Sequence, residues 1–275
     1  MINVNSNSHD DNCKSNQYKF CTAILVENDA IVPTPNPSFS KFKTCQFGEE
    51  YRLTYNSRFY DNKSVLNSMG TCFAISDELI VTAKHVILNG LINTMSLTLD
   101  ELFTKIKFVF GFNSLLDNHN IRNENIFEIE SVHNDTYSKT TNPYDFIILK
   151  VKDKKIPPEN IGKLTYNKNH GQWRISMIGH PYGMPLVKSN IAKIKDIHEK
   201  GYYITTLSAF NGNSGSPVFN QHKEIIGIMH GGGSDFEKNE DQKTFRKLKY
   251  STYNSQKKNG ILVLPIHLLQ KHYKI

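Results

Sequence analysis

From Tyr51 onward the chain is a series of short apolar runs, each closed by turn residues. Such spacing predicts an all-β fold, either a sandwich or barrels. The candidate strands are 71–76, 80–85, 107–112, 126–132 and 145–151, then 174–178, 186–197, 202–207, 216–220 and 224–230. A Pro157-Pro158 pair lies in the stretch 152–162, the expected linker between the two groups. A further strand is expected within 18–26. Residues 31–47, with Pro33, Pro35 and Pro37, read as a loop or extended segment, and residues 1–16 as a polar, disordered tail. Two short helices are expected. One lies within 95–103. The other spans 264–274, with Pro265 in its first turn and Ile266, Leu268, Leu269 and Tyr273 on its apolar side.

Three segments carry chemistry. The heptad Asn211-Gly212-Asn213-Ser214-Gly215-Ser216-Pro217 sets one hydroxyl between glycines and runs on into apolar Val218-Phe219. Glycine accepts backbone conformations that side chains resist, which leaves the Ser214 oxygen reachable. The amides of Gly212 and Ser214 are then placed to hold the developing charge of a carbonyl oxygen. Upstream, the apolar run Leu79–Thr82 leads through Ala83-Lys84 to His85. Between them, Asp145 enters the apolar run Phe146–Leu149, where an ionised carboxylate is costly without a partner. A histidine held in one tautomer is such a partner. The order His85, Asp145, Ser214 is that of chymotrypsin-type proteases rather than subtilisins or α/β-hydrolases. A hydrolase elbow would need glycine where Ser216 stands and a helix where Val218-Phe219 continues as strand. His9 with Cys13 lacks a second ligand pair at metal spacing, so no metal is expected.

On these residues the chain resembles the trypsin/chymotrypsin-fold serine endopeptidases, and among them the bacterial glutamyl endopeptidases. The resemblance rests on Thr82-Ala83-Lys84-His85, on the Asp145 box ending in Leu149-Lys150, and on Gly212–Pro217. It extends to Met177-Ile178-Gly179-His180-Pro181 and to Glu224–Ile228 with Gly231-Gly232, and runs from about Gly70 to the C-terminus. It implies two six-stranded antiparallel Greek-key barrels with the active site between them, an N-terminal extension and a short C-terminal helix. The expected division is an extension over 1–50, a first barrel over 51–155 and a second over 156–275. It further implies a His85–Asp145–Ser214 triad, an oxyanion hole from the Gly212 and Ser214 amides, and no cofactor.

The same resemblance places Ser208, Ala209, Met229, His230 and Gly231 at the substrate pocket. Glutamyl endopeptidases carry threonine where Ala209 stands and histidine where Met229 stands. Both polar contacts to a glutamate side chain are absent, unless His230 substitutes, and an uncharged, moderately apolar side chain is expected instead. Asn213 replaces the aspartate that pairs with a new N-terminus in animal zymogens, so that activation route is not expected. Residues 234–258 read as an insertion with four acids and seven bases, an expected exosite or lid for a protein substrate.

The net charge of +7 is spread over scattered lysines, so no nucleic-acid partner is expected. No run approaches the roughly 18 apolar residues of a membrane span. The four cysteines, Cys13, Cys21, Cys45 and Cys72, do not form a disulfide framework, although Cys13–Cys21 is a possible pair. With a polar N-terminal stretch, this predicts a monomer working in the bacterial cytoplasm or exported into a host cell. Three functions compete: a restricted endopeptidase, a silent protease-fold binding module, and a small-ester hydrolase.

Overall fold

The structure is a computed structural model. It describes residues 2–3, 21–50, 52–53, 61–93, 97–113, 120–167, 174–232, 234–238, 245–252 and 260–272.

Six strands close the first barrel: β1 (Thr22–Glu27), β2 (Ser68–Ala74), β3 (Leu79–Thr82), β4 (Ile106–Phe110), β5 (Ile126–Val132) and β6 (Ile147–Val151). Around the ring they run β1-β2-β3-β6-β5-β4, and β4 returns to β1 through Ile24↔Val109 and its neighbours. The second barrel repeats this connectivity with β7 (Arg174–Gly179), β8 (Ala192–Ile197), β9 (Tyr203–Thr205), β10 (Pro217–Phe219), β11 (Ile225–Gly231) and β12 (Ile261–Pro265). Its ring is β7-β8-β9-β12-β11-β10, closed where Ser176 and Met177 of β7 meet Phe219 and Val218 of β10. Closure pairs both sheet edges, which an open sheet would leave exposed. The fold is therefore all-β with two six-stranded antiparallel barrels, as expected.

The apolar runs look continuous because many strands are buried on both faces. Successive side chains of a strand point to opposite sides. In β6, Ile147 and Leu149 fill the first barrel, while Ile148 and the preceding Phe146 join the layer between the barrels. In β12, Ile261 and Val263 fill the second barrel, while Leu262 and Leu264 face that shared layer. Inside the first barrel, Phe108 and Phe127 stack at 5.2 Å and Phe110 meets Phe127 edge-on at 5.5 Å. The shared layer, with Phe73, Val81, Ile178, Phe219 and Ile228 fully or almost fully buried, fixes one barrel against the other.

Several expectations shift. The boundary at residue 50 cuts the first barrel, because β1 lies within the stretch assigned to the extension and pairs with both β2 and β4. Segments 31–33, 39–42 and 120–122 form a small separate sheet beside it. The strand expected over 80–85 ends at Thr82, and Lys84–Asn93 is a helix. The run 186–197 divides into Val187–Lys188 and β8. The C-terminal helix is a shorter 3-10 segment, Ile266–Lys271, because β12 extends through Pro265. The helix within 95–103 is Leu99–Phe103, capped by Thr98 and Glu101. Within the insertion, Ser234–Lys238 and Phe245–Thr252 pair as an antiparallel ribbon. The tail 1–16 and Cys13 lie largely or wholly outside the described residues.

Candidate active site

The first barrel supplies two of the expected residues. Beyond β3 the chain turns into the helix Lys84–Asn93, which puts His85 in its first turn. Asp145 sits two residues before β6, in a turn held by buried Asn142. The Asn142 amide donates to the Thr136 and Phe146 carbonyls at 2.8 and 2.6 Å, and its side-chain oxygen accepts from the Tyr144 amide. Buried Lys84 donates to the Asn142 carbonyl at 2.7 Å. Burial lowers the Lys84 ammonium from its ordinary range, and the charge of Asp145 opposes that shift. Lys84 and Asn142 thus hold the Asp145 turn against the His85 helix. Lys84 stands within the Thr82–His85 box and Asn142 three residues before Asp145, yet the sequence alone assigned neither a role.

The second barrel supplies Ser214 on the turn before β10. Gly212 has φ +86°, and a Cβ there would lie 2.5 Å from the Tyr182 amide nitrogen and 2.6 Å from the His180 carbonyl. Gly215 has φ +84°, and its Cβ would lie 2.1 Å from the Thr71 carbonyl. Only glycine suits both demands at these positions. Thr71 of β2 ties this turn across the barrels. Its amide donates to the Ser214 carbonyl at 3.0 Å and its hydroxyl donates to the Gly212 carbonyl at 2.8 Å.

The three residues meet. His85 Nδ1 donates to Asp145 Oδ2 at 2.7 Å, and the His85 amide donates to Asp145 Oδ1 at 2.9 Å. Ser214 Oγ lies 2.8 Å from His85 Nε2, the geometry for giving up its proton to the ring. Burial pushes the Asp145 carboxyl up, but hydrogen bonds from His230 and His85 outweigh it and hold the group well below the usual carboxylate range. Asp145 is thus an anion fixed beneath a histidine that faces a hydroxyl.

A cavity of about 400 Å³ opens beside Ser214. Ala209, Met229, His230 and Gly231 line it, together with Tyr182 and Phe210. Ser208 is exposed and does not line it. The Gly212 amide, one expected oxyanion donor, is engaged by Asn211 Oδ1 at 2.9 Å. His230 donates from Nδ1 to the same Asp145 Oδ2, at 2.5 Å. No motif pointed to either contact. Asn213 is buried, with no side-chain hydrogen bond among the described residues.

His85, Asp145 and His230 also form a potential metal cluster, with ligand atoms within 4.8 Å of one another. Ligands at about 2.0–2.2 Å from a tetrahedral zinc ion stand roughly 3.3 Å apart or more. Asp145 Oδ2 is 2.5 and 2.7 Å from the two ring nitrogens, so as arranged these groups share protons rather than bracket an ion.

The family described as the trypsin-like peptidase domain matches residues 70–228, more than half of the chain. A probable periplasmic serine endoprotease, DegP-like, of Halomonas elongata is 26% identical over 222 residues, covering 74% of this chain and 40% of that protein. A protein of the same description from Hahella chejuensis is 38% identical over 90 residues, covering 30% of this chain and 19% of its own length. The chain thus spans well under half the length of these curated relatives. The active form of the Rv3671c protease of M. tuberculosis superposes with a TM-score of 0.49 at 13% identity, over 95% of this chain and 82% of that one.

Proposed function

The chain belongs to the trypsin-like peptidase domain family, and from that premise we propose that it is a serine endopeptidase acting on protein substrates. The observation that carries the proposal is the hydrogen-bonded relay from Asp145 through His85 to Ser214, at 2.7 and 2.8 Å, open to the cleft. Ser214 Oγ attacks the scissile carbonyl while His85 Nε2 takes its proton. Asp145 keeps the Nδ1 proton in place and stabilises the imidazolium. The tetrahedral oxyanion is held by the Ser214 and Gly212 amides, once Asn211 Oδ1 has moved off the latter. His85 then protonates the leaving amine. Water, activated by the same histidine, hydrolyses the acyl-enzyme.

The pocket supports a moderately apolar, uncharged residue before the cut. Ala209 and Met229 are both buried in its wall. His230 is bonded to Asp145, which draws it away from any role as the glutamate ligand of the resembled branch. The ribbon Ser234–Lys238 with Phe245–Thr252 follows β11 out of the cleft, which supports a role in selecting protein substrates. The relatives are named as periplasmic, whereas the free thiols of Cys45 and Cys72 support a reducing compartment. Among the described residues no helix is long and apolar enough to cross a membrane.

A peptide library tests this reading. Cleavage after Leu, Val, Met or similar residues is expected, abolished in Ser214→Ala and reduced about 10⁴-fold in Asp145→Asn. Cleavage after glutamate would overturn the pocket assignment. Hydrolysis that survives Ser214→Ala would overturn the mechanism.

A further inference from the structure

Asp145 Oδ2 accepts two ring protons, one from each of two histidines. The His85 bond is 2.7 Å and the His230 bond 2.5 Å. His230 comes from β11, on the opposite barrel from Asp145 and His85. It sits where the pairing of β11 with β12 slips. Met229 faces Val263, but Gly231 already faces Leu262, so His230 is an extra residue in the ladder. Such a bulge re-aims a side chain, and here the ring reaches the carboxylate across the barrel interface. Tyr202 packs on the His230 ring at 4.9 Å and hydrogen-bonds the Asp145 backbone. The His85 ring meets the His230 ring edge-on at 5.8 Å. His230 is only half-buried, so burial alone does not fix its orientation.

We propose that His230 is a positioning residue that acts through Asp145: it holds the carboxylate toward His85 and, by taking part of its charge, limits how tightly Asp145 grips the His85 proton. This rests on the endopeptidase reading above. The titratable and charged groups facing the His230 ring are Asp145 before β6, His85 on its helix and Tyr202 before β9, with Lys84 further back and coupled to Asp145. Loss of the His230 donor leaves more negative charge for His85 alone. The carboxylate then rotates more freely and holds the His85 Nδ1–H more tightly.

The test compares wild type, His230→Ala and His230→Asn, the last placing an amide N–H near the Nδ1 position. Turnover of p-nitrophenyl acetate, an ester with no side chain to fill the pocket, is followed against pH. In His230→Ala, kcat is expected to fall about tenfold, and the acid limb to move up by about half a unit to one unit. His230→Asn should restore the limb. A residue that only lines the pocket would alter peptide KM and leave the ester profile in place, which overturns the proposal. A second readout needs no turnover. In Ser214→Ala protein, proton NMR is expected to show two low-field Nδ1–H resonances, with the His85 resonance displaced when His230→Ala is added. An undisplaced His85 resonance would overturn the proposal. Absence of Ser214-dependent ester turnover in wild type would instead count against the endopeptidase reading, while the NMR result still decides the role of His230.

Discussion

Gly215 and Gly201 separate backbone strain from steric crowding, and their alanine variants give a quantitative test of how the serine turn is held. Both have nearly the same backbone, φ +84° and +82°. A residue with a Cβ in that region costs roughly 1–2 kcal/mol. At Gly201 a Cβ would meet nothing within 4 Å, so Gly201→Ala should cost only that. At Gly215 the Cβ would lie 2.1 Å from the Thr71 carbonyl oxygen and 2.3 Å from Thr82 Oγ1. Reaching an ordinary contact of about 3.4 Å demands a parting of roughly 1.3 Å, and overpacking of this kind costs about 1–3 kcal/mol more. Gly215→Ala should therefore lose roughly 2–5 kcal/mol. The moving parts are those that seat the nucleophile, because Thr71 donates to the Ser214 and Gly212 carbonyls. A shift of about 1 Å in a reacting group costs on the order of 100-fold. Urea denaturation and peptide kcat/KM on the two variants supply the comparison. Equal stability loss in both, with Gly215→Ala fully active, would refute the close-approach argument.

Burial holds the His180 imidazole down at about 4, against a weaker opposing bond from its Nδ1 to the Met184 carbonyl. A lowered folded value means the unfolded chain takes the proton first, so this contribution is intact above about pH 6.5 and is lost as pH falls toward 4. The loss amounts to about 3 kcal/mol. His180→Phe, which keeps a ring against Phe112, should flatten stability over that interval in urea titrations, and an unchanged slope would disprove it. Asn211→Ala frees the Gly212 amide and should raise kcat/KM several-fold toward peptides, whereas a fall would mean that Asn211 assists binding. Met229→Ala enlarges the pocket and should shift library cleavage toward larger side chains, such as Phe; an unaltered preference would remove Met229 from the specificity wall.

The triad was legible because each member sits in a local box, and such boxes depend only on neighbours in sequence. Strand existence was equally legible, since two-sided burial writes apolar runs directly into the chain. Membership of a barrel was not. β1 belongs to the first barrel only through pairing of Thr22–Val26 with 68–73 and with Phe110–Lys107, and nothing near residue 22 records that. His85 read as strand because apolar Val86-Ile87 prolongs the β3 run, whereas the structure turns helical at Lys84. His230 was legible as a cleft residue but not as a partner of Asp145. That contact depends on one extra residue in β11, which alternation along the strand cannot register. The Asn211 contact with the next residue's amide is a local conformation that the heptad permits without specifying.

An activated serine is the claim on which the rest depends. A fluorophosphonate forms a covalent phosphonyl adduct only with such an oxygen, and mass spectrometry locates it. One adduct per chain is expected, on the peptide containing Ser214, absent from Ser214→Ala and strongly slowed in His85→Ala. Folded wild-type protein that remains unmodified, or an adduct on any other residue, would contradict the assignment of Ser214, His85 and Asp145 as a catalytic unit.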